Sequence, residues 1–330
     1  MTKEWSVASV TVAYNAAQVL PKHLGALLRQ SRPLEEIIVV DNGSQDSTVE
    51  MIRNQYRQVT ILELRKNLGV GGAFAAGLSY AALEKKHDWI WLLDEDGVPA
   101  SDAVEQLLHG YALSRQQGKK AAVLACLPRH GESGLSYPGL LWQERLVSPP
   151  VEVLQQPIWF VDAAISSGTM VRRDVVEAVG LPRADFFMDF VDFEYSLRIR
   201  RQGYEIAIVR DSVLHHRLGT PRTFQFLGYK KAWSDHASWR EYYISRNHTY
   251  VVWHFYPKLR SKLFLLVQLL RHGTAVLLFS KHRLGSLHMM LQGFFDGRAG
   301  RLGIRFLGST PGGTATAAVD PLHVARPAGE

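Results

Sequence analysis

The sequence predicts an α/β protein with a mostly parallel, Rossmann-like central sheet covered by helices. Three observations support this. β-branched strands alternate with helical patterns over the first 125 residues, polar clusters follow the strands, and residues 89–93 are apolar throughout. An uninterrupted apolar strand is typical of the centre of a parallel sheet, where both faces are buried.

Each element follows from its own pattern of apolar residues, caps and breakers. Strands are predicted at residues 7–14, 36–40, 59–64, 89–93, 120–127, 165–172 and 204–209. Helices are predicted at residues 17–30, 46–56, 72–84, 101–116, 174–179 and 191–202, and a helical, aromatic and basic region at 224–295. Residues 128–157, rich in Gly, Pro and Ser, predict a long connection.

Three regions are expected from these patterns. Residues 1–220 form the α/β domain, residues 221–307 a helical and basic region, and residues 308–330 a disordered tail of Gly, Pro, Ala and Thr.

Charge is distributed unevenly along the chain. The 38 Lys and Arg exceed the 31 Asp and Glu by 7, but residues 1–194 carry 18 basic and 24 acidic side chains and residues 195–330 carry 20 and 7. Between residues 217 and 283, 12 basic and 2 acidic residues are interleaved with leucines. This pattern predicts peripheral binding to an anionic membrane surface, with solvated helix faces as the alternative. No nucleic-acid-binding module accompanies the charge, so no nucleic-acid partner is expected.

Cysteine content and hydropathy indicate the compartment. Cys126 is the only cysteine, which excludes an intramolecular disulfide and favours a reducing environment. Residues 1–10 lack the apolar core of a signal peptide. Residues 263–279 are interrupted by Arg271 and His272 and fall short of the roughly 20 apolar residues that span a bilayer. A cytoplasmic protein without a transmembrane helix is expected.

Polar residues follow four of the predicted strands, where ligands bind in doubly wound sheets. They are Tyr14, Asn15, Asp41, Asn42, Asn67, Asp94, Glu95 and Asp96, with the glycine-rich residues 69–72 after Asn67. Asp94 and Asp96 offer the hard oxygen ligands that Mg²⁺ or Mn²⁺ prefers, and a solvated turn is the alternative. Gly71 would let backbone approach a nucleotide, or else would serve close helix–strand packing.

The second half of the chain contributes three further candidates. Asp189, Asp192 and Glu194 lie near a predicted helix N-terminus, where one of them can remain ionised as a general base; simple capping is the alternative. His215 and His216 end a strand and face opposite ways, so only one can point at a metal. Arg246 can pair bidentately with a diphosphate, or lie on a helix surface.

The ordered motifs resemble family 2 glycosyltransferases with the GT-A fold. The resemblance rests on residues 10–15, 38–48, 66–69, 91–99, 167–170, 189–198, 203–204 and 216–219, and covers about residues 6–300. Within the family, the sequence is most similar to bacterial galactofuranosyl- and rhamnosyltransferases of cell-surface polysaccharide assembly.

The resemblance implies an inverting transfer of galactofuranose or rhamnose from a UDP- or dTDP-linked donor. The acceptor is lipid-linked or a polysaccharide, met at the inner face of the cytoplasmic membrane. The implied roles are nucleoside binding by Asp41, Asn42 and Asn67, Mn²⁺ or Mg²⁺ binding by Asp94, Asp96 and His216 (or His215), and base catalysis by Asp192. The competing functions are a nucleotidyltransferase, a nicotinamide-linked oxidoreductase, and a nucleic-acid- or membrane-binding adaptor.

Overall fold

The computed structural model of the protein describes residues 5–130, 135–143, 145–215, 222–226, 229–233 and 236–306. Strands β1 to β14 are Val7–Ala13, Glu36–Asp41, Thr60–Glu63, Trp89–Asp94, Val98–Pro99, Ala121–His130, Leu135–Ser136, Leu141–Trp142, Leu146–Val147, Ile158–Val161, Thr169–Arg172, Glu205–His215, Arg222–Phe226 and Tyr229–Trp233. Helices α1 to α9 are Leu20–Leu28, Thr48–Gln55, Gly69–Leu78, Ala103–Gln116, Arg173–Val179, Val191–Arg201, Ser238–Phe255, Leu259–Phe279 and Arg283–Arg298. A π-helical turn, Ser79–Glu84, continues α3.

The main sheet is mixed rather than mostly parallel. Its order is β10-β12-β6-β11-β4-β1-β2-β3, with β5 added to β12 and β7 added to β6. The β4-β1-β2-β3 half is parallel, as the alternating strand and helix pattern predicts. Strand β11 runs antiparallel between β4 and β6, while β6 and β12 are parallel to each other. The antiparallel β11 therefore joins two parallel groups.

The central strands bury both of their faces. On β4, Trp89 and Trp91 pack on one face, and Ile90 and Leu92 on the other, because successive side chains of a strand point to opposite sides. The first face packs with residues of α1 and α4, the second with residues of α3, α5 and α6. The prediction of a doubly covered β4 is confirmed.

The C-terminal helices form a second packed unit. Helix α9 lies so close to α7 that a Cβ added at Gly293 or Gly297 would stand 2.3 or 2.2 Å from the carbonyl oxygens of Tyr242 or Arg246. Helix α8 joins this unit through His272, whose Nε2 lies 2.7 Å from the carboxylate of Glu241 on α7.

Three sequence expectations need correction. Residues 222–233 contain the β13–β14 hairpin, where a helical region was expected. Helix α3 begins at Gly69, not at residue 72. Helix α8 begins at Leu259, so by length and composition it is long and apolar enough to cross a membrane; only 22% of its apolar window is buried. The expected tail lies outside the described residues.

Candidate active site

The carboxyl ends of three parallel strands meet at one edge of the sheet. Ala13 at the end of β1 is in register with Asp41 at the end of β2, and Val12 is in register with Asp94 at the end of β4. The predicted clusters after these strands are therefore neighbours. This is where a parallel sheet leaves room for a ligand.

Asp41 is a buried carboxylate with one oxygen unused. Its Oδ2 accepts hydrogen bonds from the backbone N–H groups of Gly43 and Ser44, at 3.2 and 3.1 Å. Its Oδ1 is buried and has no hydrogen-bond partner within the described part of the chain. An unpaired buried acceptor costs about 1–3 kcal/mol, so this oxygen is poised to accept a hydrogen bond from a ligand donor.

Asn42 and Asn67 tie together the loops after β2 and β3. The Asn42 side chain donates to Asn67 Oδ1 at 3.2 Å and accepts from the Leu68 N–H at 2.9 Å. Asn67 Oδ1 also accepts from the Gly69 N–H at 2.8 Å. These two amides thus hold the loops beside Asp41 in one arrangement.

Tyr14 and Asn15 lie on the open side of the same edge. Tyr14 is 36% exposed. Asn15 adopts a left-handed φ of 51°, and its Oδ1 accepts from the Gln45 N–H at 2.7 Å. The side-chain carbonyl of Asn15 is therefore hydrogen-bonded to the loop after β2, while Tyr14 is exposed to solvent.

Asp94, Glu95 and Asp96 form a turn at the end of β4, and all three are half-buried. The Gly97 N–H donates to the Asp94 carbonyl at 3.2 Å, which closes the turn, and the Asp94 N–H donates to Ser167 Oγ at 3.2 Å. The carboxylates of Asp94 and Asp96 have the donor chemistry that Mg²⁺ and Mn²⁺ favour. Among the described residues, no group of three His, Cys, Asp or Glu side chains is arranged to hold a metal.

His215, one of the two candidates for the third metal ligand, is the last residue of β12. His215 is exposed and pairs in the sheet with Val98, two residues beyond Asp96. His216, the ligand implied by resemblance, lies outside the described residues. The pairing brings the end of β12 beside the carboxylate turn.

His23, which the sequence analysis did not identify as a candidate, contacts the carboxylate turn at Gly97. It is fully buried on α1; its Nδ1 contacts the Gly97 carbonyl and its Nε2 lies 2.8 Å from Thr11 Oγ1. A carbonyl only accepts, so Nδ1 carries the proton and Nε2 accepts from the Thr11 hydroxyl. Burial lowers the pKa of His23 to about 4, so the ring is neutral at physiological pH.

Asp192 follows a strained segment at the start of α6. Phe187, Asp189 and Phe190 have left-handed φ values of 66°, 54° and 62°, which non-glycine residues adopt rarely. Asp192 is half-buried. Burial raises its pKa to about 7, and the negative charges of Asp189 and Asp94 add to that rise. Asp94, at the end of β4, is therefore near enough to Asp192 for its charge to act on that carboxyl.

Glu194 is engaged elsewhere. It is buried, and both of its oxygens accept from Arg198 Nε, at 2.8 and 3.1 Å. Arg198 in turn donates to the carbonyls of Val179 and Leu181. Of the two acids considered as the base, Asp192 is therefore the one without a cationic partner among the described residues.

Arg246 does not occupy the position expected of a diphosphate ligand. Its guanidinium is fully buried and donates to the carbonyls of Gly303, Asp185 and Phe186. The neighbouring Asn247 places its Nδ2 within 2.7 to 3.0 Å of the carbonyls of Phe186, Met188 and Asp189. These contacts correct the expectation: the pair holds the strained segment that precedes Asp192.

Gly71 also has a different role from the one expected. A Cβ at this position would stand 2.5 Å from the carbonyl oxygen of Arg183, and the Gly71 N–H donates to the Phe187 carbonyl at 3.2 Å. Gly69, with φ of 72°, has the Phe187 carbonyl oxygen 2.1 Å from its Cβ position. The glycines therefore let protein backbone, not a nucleotide, approach α3.

Two further residues interact with the acids at the start of α6 and carry no sequence signal. Tyr137 lies in the long connection, and burial together with the charge of Asp192 raises the pKa of its hydroxyl. Arg240 on α7 pairs with Asp189 through both carboxylate oxygens, at 3.0 and 3.1 Å. Since only the folded chain brings these segments together, their separation in sequence conceals the contacts.

Comparison with known proteins identifies the class. The profile of glycosyl transferase family 2 matches residues 9–180, more than half of the chain. The chain belongs to this family and is a glycosyltransferase with the GT-A fold.

Two groups of relatives refine the position within the family. The chain is 28% identical over 316 residues to galactofuranosyltransferase GlfT1 of Mycobacterium tuberculosis, covering 94% of this chain and 99% of the relative. It is 24% identical over 299 residues to dTDP-rhamnosyl transferase RfbF of Shigella flexneri, covering 90% and 97%.

Solved structures share the fold at low identity. A crystal structure of GalNAc-T7 with UDP, GalNAc and Mn²⁺ superposes with a TM-score of 0.57 at 15% identity, covering 76% of this chain and 48% of that one. A structure of Staphylococcus aureus TarS residues 1–349 with UDP gives a TM-score of 0.50 at 12% identity, covering 88% and 71%.

Proposed function

We propose that the protein transfers galactofuranose or rhamnose, with inversion, from a nucleoside diphosphate sugar to a lipid-linked or polysaccharide acceptor. The observation that carries the proposal is that Asp41, with its unsatisfied Oδ1, and the Asp94–Asp96 turn lie at the carboxyl ends of the two strands that flank β1. Asp192 supplies a third carboxyl, and the charge of Asp94 adds to the rise in its pKa. UDP-galactofuranose is the preferred donor, and the match to GlfT1 along nearly its whole length supports it.

The donor would bind across the ends of β1, β2 and β4. Asp41 Oδ1 is suited to accept a hydrogen bond from the N–H of a pyrimidine base or a ribose hydroxyl, which would satisfy its buried lone pairs. Asn42 and Asn67 keep the flanking loops in place, and the exposed Tyr14 ring offers a stacking surface.

Asp94 and Asp96 would hold Mn²⁺ or Mg²⁺, with His216, or His215, as a third ligand. When bound, the cation offsets the negative charge of the leaving diphosphate. The two carboxylates provide the hard oxygen ligands that both ions favour.

Asp192 is the base of this proposal. A carboxylate with a pKa of about 7 is half ionised at neutral pH and accepts a proton more readily than an ordinary Asp. It removes the proton of the acceptor hydroxyl as that oxygen bonds to the anomeric carbon. The bond from that carbon to the diphosphate oxygen breaks with its electron pair going to the diphosphate, so one displacement inverts the configuration.

A donor panel tests the function. Purified protein is incubated with UDP-galactofuranose, dTDP-rhamnose and common nucleotide sugars, with and without Mn²⁺ or Mg²⁺, and released nucleoside diphosphate is measured. Metal-dependent release of UDP or dTDP with one donor is expected, and its loss in Asp96→Ala but not in Asp211→Asn, an exposed aspartate. Release of pyrophosphate, a change in nicotinamide absorbance, or full activity after chelation would contradict the proposal.

Membrane association is part of the proposal. The basic, leucine-containing second half would hold the enzyme on the inner face of the cytoplasmic membrane, where a lipid-linked acceptor is available. Cosedimentation with phosphatidylglycerol vesicles, decreasing as salt rises, is expected; indifference to these vesicles would contradict it.

A further inference from the structure

An apolar groove runs between α7, α8 and α9. Its volume is about 410 Å³, within the range of small-molecule sites, and its walls include Leu266, Leu270 and Leu277 of α8 and Leu287 and Leu291 of α9. The hydroxyls of the two polar lining residues are already used: Ser245 donates to the Met290 carbonyl at 2.8 Å and Thr274 to the Leu270 carbonyl at 2.9 Å. The groove therefore suits a ligand without polar groups.

The groove opens onto an exposed apolar face. Along α8, Leu263, Leu270 and Leu278 are 52%, 73% and 60% exposed, and on α9 Leu284 and Leu291 are 79% and 53% exposed. A helix surface of this kind in a folded protein marks contact with a membrane or a partner. The groove and the face are continuous, because Leu270 and Leu291 belong to both.

The charges around this face select an anionic lipid as the partner. Residues 258–301 contain eight Lys and Arg and one acidic residue, Asp296. Asp296 is buried, and it accepts hydrogen bonds from Tyr242 and Arg301. A second copy of this chain would bring like charge to the face, whereas a lipid phosphate brings the opposite charge.

One turn of α7 connects the groove with the active site. Ser245 lines the groove, while Arg246 and Asn247, the next two residues, hold the carbonyls of the segment before Asp192. The groove and that segment thus lie on different sides of one helix, whose diameter with side chains is about 10–12 Å. A hydrocarbon chain bound in the groove would therefore have its head group near the segment that precedes Asp192.

We propose that the groove between α7, α8 and α9 binds the hydrocarbon tail of the lipid-linked acceptor. The proposal rests on the proposed function, since it assigns the acceptor of that reaction. The tail enters beside α8, which lies along the membrane surface with its leucines in the acyl region and its basic residues at the phosphates.

Calorimetric titration with octyl, decyl and dodecyl phosphate, each below its micelle concentration, tests the groove directly. Each added methylene is expected to tighten binding about fourfold, because burying a CH₂ contributes about 0.8 kcal/mol. Gly273→Leu would fill the groove: its Cβ has room, with Leu287 Cδ1 at 3.5 Å and Met290 Cε at 3.8 Å, and the longer side chain projects into the space. This variant is expected to lose the dependence on chain length.

Gly285→Leu on α9 is the matched control. Gly285 is exposed and outside the groove, and its Cβ position is 3.5 Å from Ser238 Oγ. Both changes raise helix propensity by a similar amount, so a general effect on folding would appear in both. The control is expected to bind alkyl phosphates as the unmodified protein does.

Several outcomes would overturn the proposal. Equal affinity for all three alkyl phosphates, or undiminished dodecyl phosphate binding by Gly273→Leu, would show that the tail does not occupy the groove. A dimer that dissociates in Gly273→Leu, without alkyl phosphate binding, would make a second copy the occupant. If alkyl phosphates bind as expected but no donor yields nucleoside diphosphate, the proposed function fails, and the assignment to an acceptor tail fails with it.

Discussion

Replacing Asp192 by Asn should make the folded protein more stable at alkaline pH while abolishing transfer. In the folded chain the pKa of Asp192 is raised from 3.8 to about 7, mainly by burial. The unfolded chain therefore releases this proton near pH 4, whereas the folded chain retains it until about pH 7. Over that interval the folded state binds more protons, so its stability falls as pH rises.

The size of the effect follows from the same pKa. A rise of this extent corresponds to about 4 kcal/mol of unfolding free energy above pH 7. Because Asp192 is only half-buried, so that solvent screens part of this effect, we expect Asp192→Asn to recover about half of it, about 2 kcal/mol at pH 8. Below pH 4 the two proteins should be equally stable.

Urea unfolding of both proteins at pH 5 and pH 8 measures this difference. The exposed control Asp211→Asn should change neither stability nor activity. If Asp192→Asn were less stable than the unmodified protein at pH 8, the claim that the ionised Asp192 carboxylate destabilises the fold would be refuted. If the variant retained substantial transfer activity, the assignment of Asp192 as the base would be refuted.

Three further predictions follow from the site. The kcat should fall about tenfold for each pH unit below the pKa of Asp192, about 7, because only the ionised carboxylate can take the proton from the acceptor hydroxyl. A pH profile in which kcat stays constant over that range would contradict this prediction. Asn247→Ala should lower kcat by about tenfold to a hundredfold with a smaller change in donor KM, because the carbonyls of Phe186, Met188 and Asp189 lose their hydrogen-bond donor. Steady-state kinetics measures both constants, and an unchanged kcat would refute the role of Asn247 in positioning Asp192. Gly71→Ala should destabilise the protein by about 1–3 kcal/mol, because its Cβ would stand 2.5 Å from the Arg183 carbonyl oxygen. The control Gly285→Ala should be neutral or stabilising. Thermal unfolding compares the two variants, and an equal change in Tm would contradict the packing role of Gly71.

Much of the α/β sheet could be predicted because local patterns determine it. The apolar β4, the alternating elements before it and the polar residues at the strand ends are all properties of short segments. The antiparallel direction of β11 could not be predicted in this way, since β-branched residues favour a strand without fixing its orientation. The β13–β14 hairpin was missed within a region whose aromatic and basic composition suggested helix.

The candidate site likewise contains residues that the sequence could locate and residues whose roles depend on contacts in the folded chain. Asp41 and Asp94 lie at the ends of β2 and β4, a position that the sequence pattern alone predicted. Arg246 misled because sequence does not show whether a guanidinium faces a ligand or the protein's own carbonyls. His23 gave no signal, since its contacts with Thr11 and the Gly97 carbonyl exist only after α1 packs on the sheet.

The most direct test of the account is the anomeric configuration of the product, followed by proton NMR during transfer from UDP-galactofuranose. A product with the configuration opposite to that of the donor, formed together with UDP and absent with Asp192→Asn, is predicted by a single displacement with Asp192 as base. A product that retains the donor configuration, or one formed at an undiminished rate by Asp192→Asn, would contradict the account.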